Sequence, residues 1–280
     1  MFWRIVILAV AVLAIVSGIK HRAQTPPIQT AVTIEQPVPQ PSPTPQAPQF
    51  SRTVVEGKSI YKYICFLPEG YGKEPKFWPS ILFLHGQSSN DVTEKLKNYG
   101  PIKYGLNNDD FPFVVIAPVT SRGWNVSMIN LFVTEMSGRY RIDQDRIYLT
   151  GCSMGGHATW KVAAAYPHRF AAIAPVAGAG NPRQAIRKNL HLPTWVFHGA
   201  RDTVVPVKRG LQMIGALKAN GGNVKSTIYI EGGHEICGST YDEPEMYQWF
   251  LEQERQSPKI KKKNLKSNTG AKGSVLSALD

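Results

Sequence analysis

Residues 147–160 read IYLTGCSMGGHATW, and this stretch decides the fold. Arg146–Thr150 reads as a strand. Met154–Tyr166 reads as a helix that stops before Pro167, because the residue ahead of a proline avoids helical angles. Between them Gly151-Cys152-Ser153-Met154-Gly155 fits G-x-S-x-G. That pattern carries a mechanical demand. The chain must turn sharply from strand to helix and hold Ser153 at a strained angle, with its Oγ exposed above the sheet. Gly151 and Gly155 remove side chains that would clash with such a turn, and Gly156 relieves crowding between helix and strand. The pentapeptide alone occurs by chance; the strand before it and the helix after it make it informative.

Outward from this turn, short apolar runs alternate with helical stretches from about residue 51 to 256. The other predicted strands are Ile60–Leu67, Ser80–His85, Phe113–Pro118, Ala172–Val176, Thr194–His198 and Ser226–Glu231. ILFLH, FVVIAP and TWVFH are apolar on successive residues, the pattern of strands buried on both faces of a parallel sheet. Helices are expected at Asp91–Leu106, with Asp91 as cap, and at Ser127–Tyr140, Lys208–Asn220 and Glu243–Glu254. The third of these should end in a left-handed cap at Gly221-Gly222. Regular alternation of strand and helix predicts an α/β domain built on a mostly parallel, doubly wound sheet.

A serine hydroxyl needs a base to become a nucleophile, and the base needs an acid to orient it. On a strand–turn–helix serine the chain order is Ser, then Asp or Glu, then His. Of the seven histidines, His234 alone stands at a strand end near the C-terminus of the body. Between Ser153 and His234 the only acids are Asp202 and Glu231. Glu231 is three residues from His234 on the same strand end, so its reach to the far imidazole nitrogen is poor. Asp202 lies in the loop HGARDTVVP after a separate strand. The expected triad is Ser153 as nucleophile, His234 as base and then acid, and Asp202 as orienter.

The oxygen of a tetrahedral intermediate needs N–H donors. The backbone N–H groups of Met154 and Gln87 are the candidates, the second from the loop after ILFLH. His85 is expected to position that loop, His157 to pack or lie at the surface, and His198 to be structural. Trp124, after the FVVIAP strand, has two readings: lining a substrate pocket, or shielding the sheet edge. The three cysteines are too few for a disulfide framework. Free buried thiols are the expectation, with Cys152 packed under the sheet and a Cys65–Cys237 pair as the oxidised alternative.

The termini read differently from the body. Residues 5–19, IVILAVAVLAIVSGI, form an apolar run followed by Lys20 and Arg22. Its length lies between a signal-peptide core and a full span, and the basic flank favours an uncleaved membrane anchor over a cleaved signal within residues 1–24. The catalytic domain is then expected outside the cytoplasm, anchored or secreted. Residues 25–50 are rich in Pro, Gln and Thr and read as an extended stalk. Residues 257–280 carry six lysines and read as a disordered basic tail. Of the formal net charge of +12, residues 257–280 contribute +5, residues 1–50 contribute +2 and the body +5. Charge placed so largely outside the folded body argues against nucleic-acid binding. Hydrophobic residues at 42% rule out a wholly disordered chain.

Taken together, the body resembles the α/β-hydrolase superfamily. More narrowly it is similar to the phospholipase/carboxylesterase and dienelactone-hydrolase-like group, which includes predicted peptidases and polyhydroxybutyrate-depolymerase-like esterases. The resemblance rests on FLHG (83–86), YRIDQDRIYLTGCSMGGHATW (140–160), YPHRFAAIAPVAG (166–178), WVFHGARDTVVP (195–206), GGH (232–234) and YQWFLEQ (247–253). It implies hydrolysis of an ester or acylated small molecule or polymer through an acyl-enzyme, with no metal or organic cofactor. Two departures touch the pocket. The loop after His85-Gly86 is Gln87-Ser88-Ser89-Asn90 rather than Gly-rich and acidic, and Glu235-Ile236-Cys237 replaces a tryptophan-bearing segment after the histidine. A peptidase of the same fold and a non-catalytic binding protein on the scaffold are the alternatives. The absence of a propeller or large lid disfavours the first, and the complete triad disfavours the second.

Overall fold

The apolar runs form the middle of one eight-stranded sheet. The computed structural model describes residues 53–88, 92–189 and 191–255. The expected anchor, stalk and basic tail, and the proposed cap Asp91, lie outside the described residues. In chain order the elements are β1 (Thr53–Lys58), β2 (Lys62–Leu67), β3 (Trp78–Leu84), α1 (Thr93–Lys97), α2 (Gly100–Asn107), β4 (Val114–Val119) and α3 (Val126–Arg139). There follow β5 (Ile142–Cys152), α4 (Met154–Ala165), β6 (Ala172–Val176), α5 (Pro182–Asn189), β7 (Thr194–Gly199), α6 (Val207–Ala219), β8 (Val224–Tyr229), α7 (Cys237–Asp242) and α8 (Pro244–Leu251).

The strand order is β1-β2-β4-β3-β5-β6-β7-β8. β2 pairs antiparallel with both β1 and β4, and every pairing from β4 to β8 is parallel. Side chains alternate across the pleat and feed two cores. Leu82, Ile116, Leu149 and Ile173 face Ile129, Phe132, Trp160, Met213 and Leu217 from the helices α3, α4 and α6. Ile81, Phe83, Val115 and Tyr148 face Leu96, Ile102, Tyr241 and Phe250 from α1, α2, α7 and α8. Burial on both faces explains why the strands read as continuous apolar runs. The doubly wound α/β architecture expected from the sequence is the observed one.

Several local expectations need correction. The single helix predicted over Asp91–Leu106 is two helices. Gly100 takes φ +68°, a left-handed angle, and Pro101 starts the second helix. β1, α5 and α7 are additional. β1 is a half-buried edge strand with little alternation, and α7 is too short to show a helical period. The cap at Gly221 is present: Gly221 has φ +74°, and Gly222 N–H donates to Leu217 O at 2.8 Å. Among the described residues no helix is long and apolar enough to cross a membrane.

Candidate active site

Parallel strands deliver their C-terminal ends to one edge, where the loops after β3, β4, β5, β7 and β8 meet. Ser153 stands between β5 and α4 with φ 54° and ψ −113°, a left-handed φ in a non-glycine residue. Neighbours hold it there. Its N–H donates to Val176 O at 2.9 Å. A Cβ on Gly151 would lie 2.6 Å from Leu84 O, and one on Gly155 would overlap that same oxygen more deeply. The close crossing of β3 by the turn therefore excludes any side chain at those two positions.

Asp202 lies in the loop after β7 and is only 6% exposed. Its Oδ1 accepts from Val204 N–H at 2.9 Å and Val205 N–H at 2.7 Å, the local turn that Asp side chains form readily. Its Oδ2 is 2.8 Å from His234 Nδ1. His234 Nε2 is in turn 2.8 Å from Ser153 Oγ. An ionised carboxylate only accepts, so Nδ1 carries the proton and Nε2 presents a lone pair to the serine hydroxyl. Asp202 and His234 reach Ser153 from residues 49 and 81 positions downstream, through loops at the ends of β7 and β8. Glu231 is exposed and pairs with Arg201 instead.

His198 contributes more than its sequence position suggested. It is fully buried, its Nε2–H donates to Val205 O at 2.7 Å, and the same nitrogen is 3.5 Å from Asp202 Oδ2. It braces the loop that carries the carboxylate. Its Nδ1 is buried with no hydrogen-bond partner.

On the other flank of Ser153 is the loop after β3. A Cβ on Gly86 would stand 3.6 Å from Ser153 Cβ, so the loop passes close to that serine. His85 holds the loop in place, as expected. Its Nδ1–H donates to Gly86 O at 2.6 Å, and its Nε2 accepts Thr120 N–H at 3.2 Å. The second contact needs a lone pair on Nε2 and so requires the neutral ring. Burial lowers the His85 pKa below 6.5 and nearby Lys95 adds to this, against a smaller opposing effect of the Gly86 contact. Trp124 completes the tie. Its indole N–H donates to His85 O at 3.0 Å, and its ring packs edge-on against those of His85 and Tyr61. These contacts tie Trp124 to the loop after β3. Gln87 is exposed and follows Gly86; Met154 opens α4. His157 Nδ1 sits 2.8–2.9 Å from the main chain of Ala179, a packing contact.

The cysteines overturn an expectation. Cys152 and Cys237 form a disulfide with Cα atoms 5.9 Å apart, and Cys65 is the free, buried thiol. Neither the free-thiol reading of Cys152 nor a Cys65–Cys237 pair holds. A separation of 85 residues hides the pairing in the sequence. The available signal was position: Cys152 precedes Ser153, and Cys237 follows His234 by three. Among the described residues no group of three or more His, Cys, Asp or Glu side chains is arranged to hold a metal ion.

Residues 125–254 match the family described as Phospholipase/Carboxylesterase. A protein of Nocardia uniformis subsp. tsuyamanensis, named as the esterase NocK, is 25% identical over 201 residues, 66% of this chain and 58% of that protein. An Aspergillus terreus protein named as a feruloyl esterase C is 28% identical over 171 residues, covering 58% of this chain and 62% of its own length. The crystal structure of a thermostable esterase superposes with a TM-score of 0.63 at 26% identity, covering 73% of this chain and 64% of that one. The chain thus spans about three fifths of the length of these relatives. Sheet order, the strained serine turn and these matches agree, and the chain belongs to the α/β-hydrolase superfamily.

Proposed function

We propose that the protein is a serine carboxylic-ester hydrolase acting through an acyl-enzyme. The observation that carries this reading is the unbroken relay from Asp202 Oδ2 to His234 and from His234 Nε2 to Ser153 Oγ, each step 2.8 Å. Ser153 Oγ attacks the ester carbonyl carbon while its proton passes to His234 Nε2. Asp202, held by two backbone N–H groups, stabilises the imidazolium and fixes the ring. The N–H groups of Met154 and Gln87 meet the charge on the tetrahedral oxygen. Collapse expels the alcohol, which takes the proton from Nε2. Water, deprotonated by His234, then releases the acid. No step draws on a cofactor.

The substrate is an ester or acylated compound, small or polymeric. The relatives' names, an esterase and a feruloyl esterase, support that class. The buried disulfide supports a site of action in an oxidising compartment outside the cytoplasm.

The test uses the full 280-residue chain beside Ser153→Ala. Both are assayed on p-nitrophenyl esters of increasing chain length and on methyl ferulate. Ester turnover abolished by the substitution is the expected result. Fluorophosphonate labelling of Ser153 with turnover of peptides alone would move the reading to a peptidase. No labelling and no turnover would leave a binding protein.

A further inference from the structure

We propose that Cys152 and Cys237 are positioning residues: their disulfide holds the His234 imidazole against the Ser153 hydroxyl. The inference rests on the triad reading and adds to it the element that sets its spacing.

Apart from the Asp202 contact to its Nδ1 and the buried Ile236 two residues on, His234 sits in a loop between β8 and α7 with few anchors. Ile230 is 68% exposed, Glu231 is exposed, and Gly232 and Gly233 stand next to the histidine. Two successive glycines leave the backbone unusually free. Gly233 N–H is taken up by Glu235 Oε1, a contact within the loop itself. One main-chain bond ties the segment sideways, from Arg201 N–H to Gly232 O at 2.9 Å.

Further along the chain the anchoring is firm but more distant. Thr240 Oγ1 donates to Ile236 O at 2.8 Å, Tyr241 Oη and Thr150 Oγ1 are 2.9 Å apart, and Tyr229 Oη donates to Glu243 Oε1. These bonds fix α7 and its surroundings; of the side chains on this segment, Thr240, Tyr241 and Glu243 lie six or more residues beyond His234, and Tyr229 lies five before it. Cys237 is three residues from His234, and its partner is the residue bonded to Ser153. Both cysteines are about 95% buried in the same core. A short covalent path therefore runs from the nucleophile through Cys152, the S–S bond and Cys237 back to the base. The hydrogen bond between His234 and Ser153 closes that path into a ring.

Breaking the bond should let His234 drift while leaving the Ser153 turn, which steric contacts hold, in place. Displacement of a catalytic group by about 1 Å costs on the order of 10²-fold in rate. Substrate binding does not depend on the His234–Ser153 contact, so the loss should fall on kcat and leave KM within about twofold.

The experiment titrates the full chain with dithiothreitol. The dithiol gives up two electrons and two protons, closes to its own cyclic disulfide, and leaves two cysteine thiols. At each point kcat, KM and near-ultraviolet circular dichroism are read, and the linked peptide is confirmed by mass spectrometry before reduction. The expected result is a kcat loss on the order of 10²-fold at dithiothreitol levels where the dichroism is still native, with KM held and kcat restored on reoxidation. A folded Cys152→Ala/Cys237→Ala variant should behave as the reduced protein does.

Three results would overturn the proposal: no Cys152–Cys237 peptide in the oxidised protein, a reduced protein with unchanged kcat, or loss of activity coinciding with loss of the native dichroism. The last would make the bond a fold staple only. If the double variant does not fold, the titration of the native chain still decides. Oxidised protein that turns over esters equally well as Ser153→Ala would instead sink the triad reading itself.

Discussion

The two edges of the sheet make opposite use of their space. At the C-terminal edge five loops converge, and a strained serine, a buried carboxylate and two histidines are locked by steric contact, buried hydrogen bonds and a covalent bond. At the N-terminal edge a groove of about 790 Å³ opens among Pro167, His168, Lys188, His191, Asn223 and Arg255. It is held by Arg255, whose guanidinium meets Asp145 Oδ1 at 2.7 Å and His168 O at 3.2 Å in partly exposed contacts. That groove lies at the edge away from Ser153. Strand direction and the strained serine, not the groove, point to the proposed site.

The largest effects should all fall at the C-terminal edge. Ser153→Ala and His234→Ala should each lower kcat on the order of 10⁶-fold on a p-nitrophenyl ester, because the members of such a unit fail together. His168→Ala and His191→Ala, across the sheet, should leave kcat within about twofold. A large loss there would break the comparison. Asp202→Asn should cost on the order of 10⁴-fold, since an amide cannot hold the same tautomer of His234.

Stability sharpens the contrast. Closing an 85-residue separation should make reduction of the Cys152–Cys237 bond cost about 4–5 kcal/mol in urea unfolding. Arg255→Ala, which removes a surface ion pair at the other edge, should cost about 0–1 kcal/mol.

pH supplies a finer probe. The folded state depresses the His85 pKa, so below 6.5 the unfolded chain takes up a proton that the folded ring resists. This contribution to stability is intact above 6.5 and is lost as pH falls from there toward the lower folded value, with a slope of at most about 1.4 kcal/mol per pH unit. His85→Gln should flatten that part of the unfolding free energy measured against pH.

What was legible in the sequence follows from how local each constraint is. The serine turn could be read because its steric demand lies within five residues, Gly151–Gly155. The Asp202 and His234 positions could be read because chain order and strand ends left few candidates. The disulfide was missed because its two halves are far apart in sequence and only the folded sheet brings β5 beside α7. The bracing of Asp202 by His198 was missed for a similar reason: it depends on the path of the 199–205 loop, which no pattern announces. Sequence alone does not separate the two roles of Trp124, because an aromatic residue near a site also suggests contact with a ligand. The indole N–H, bonded to His85 O, ties it to the loop framework.

The bond between Cys152 and Cys237 also changes what a broken chain would look like. It encloses Ser153, Asp202 and His234 in one covalent loop. A protease that cuts the exposed Thr203–Val204 bond separates the polypeptide carrying the serine from the one carrying the histidine. The two pieces would nonetheless migrate as a single species on a non-reducing gel and part only when thiol is added. For this molecule, a nick between Ser153 and His234 is not a dissociation.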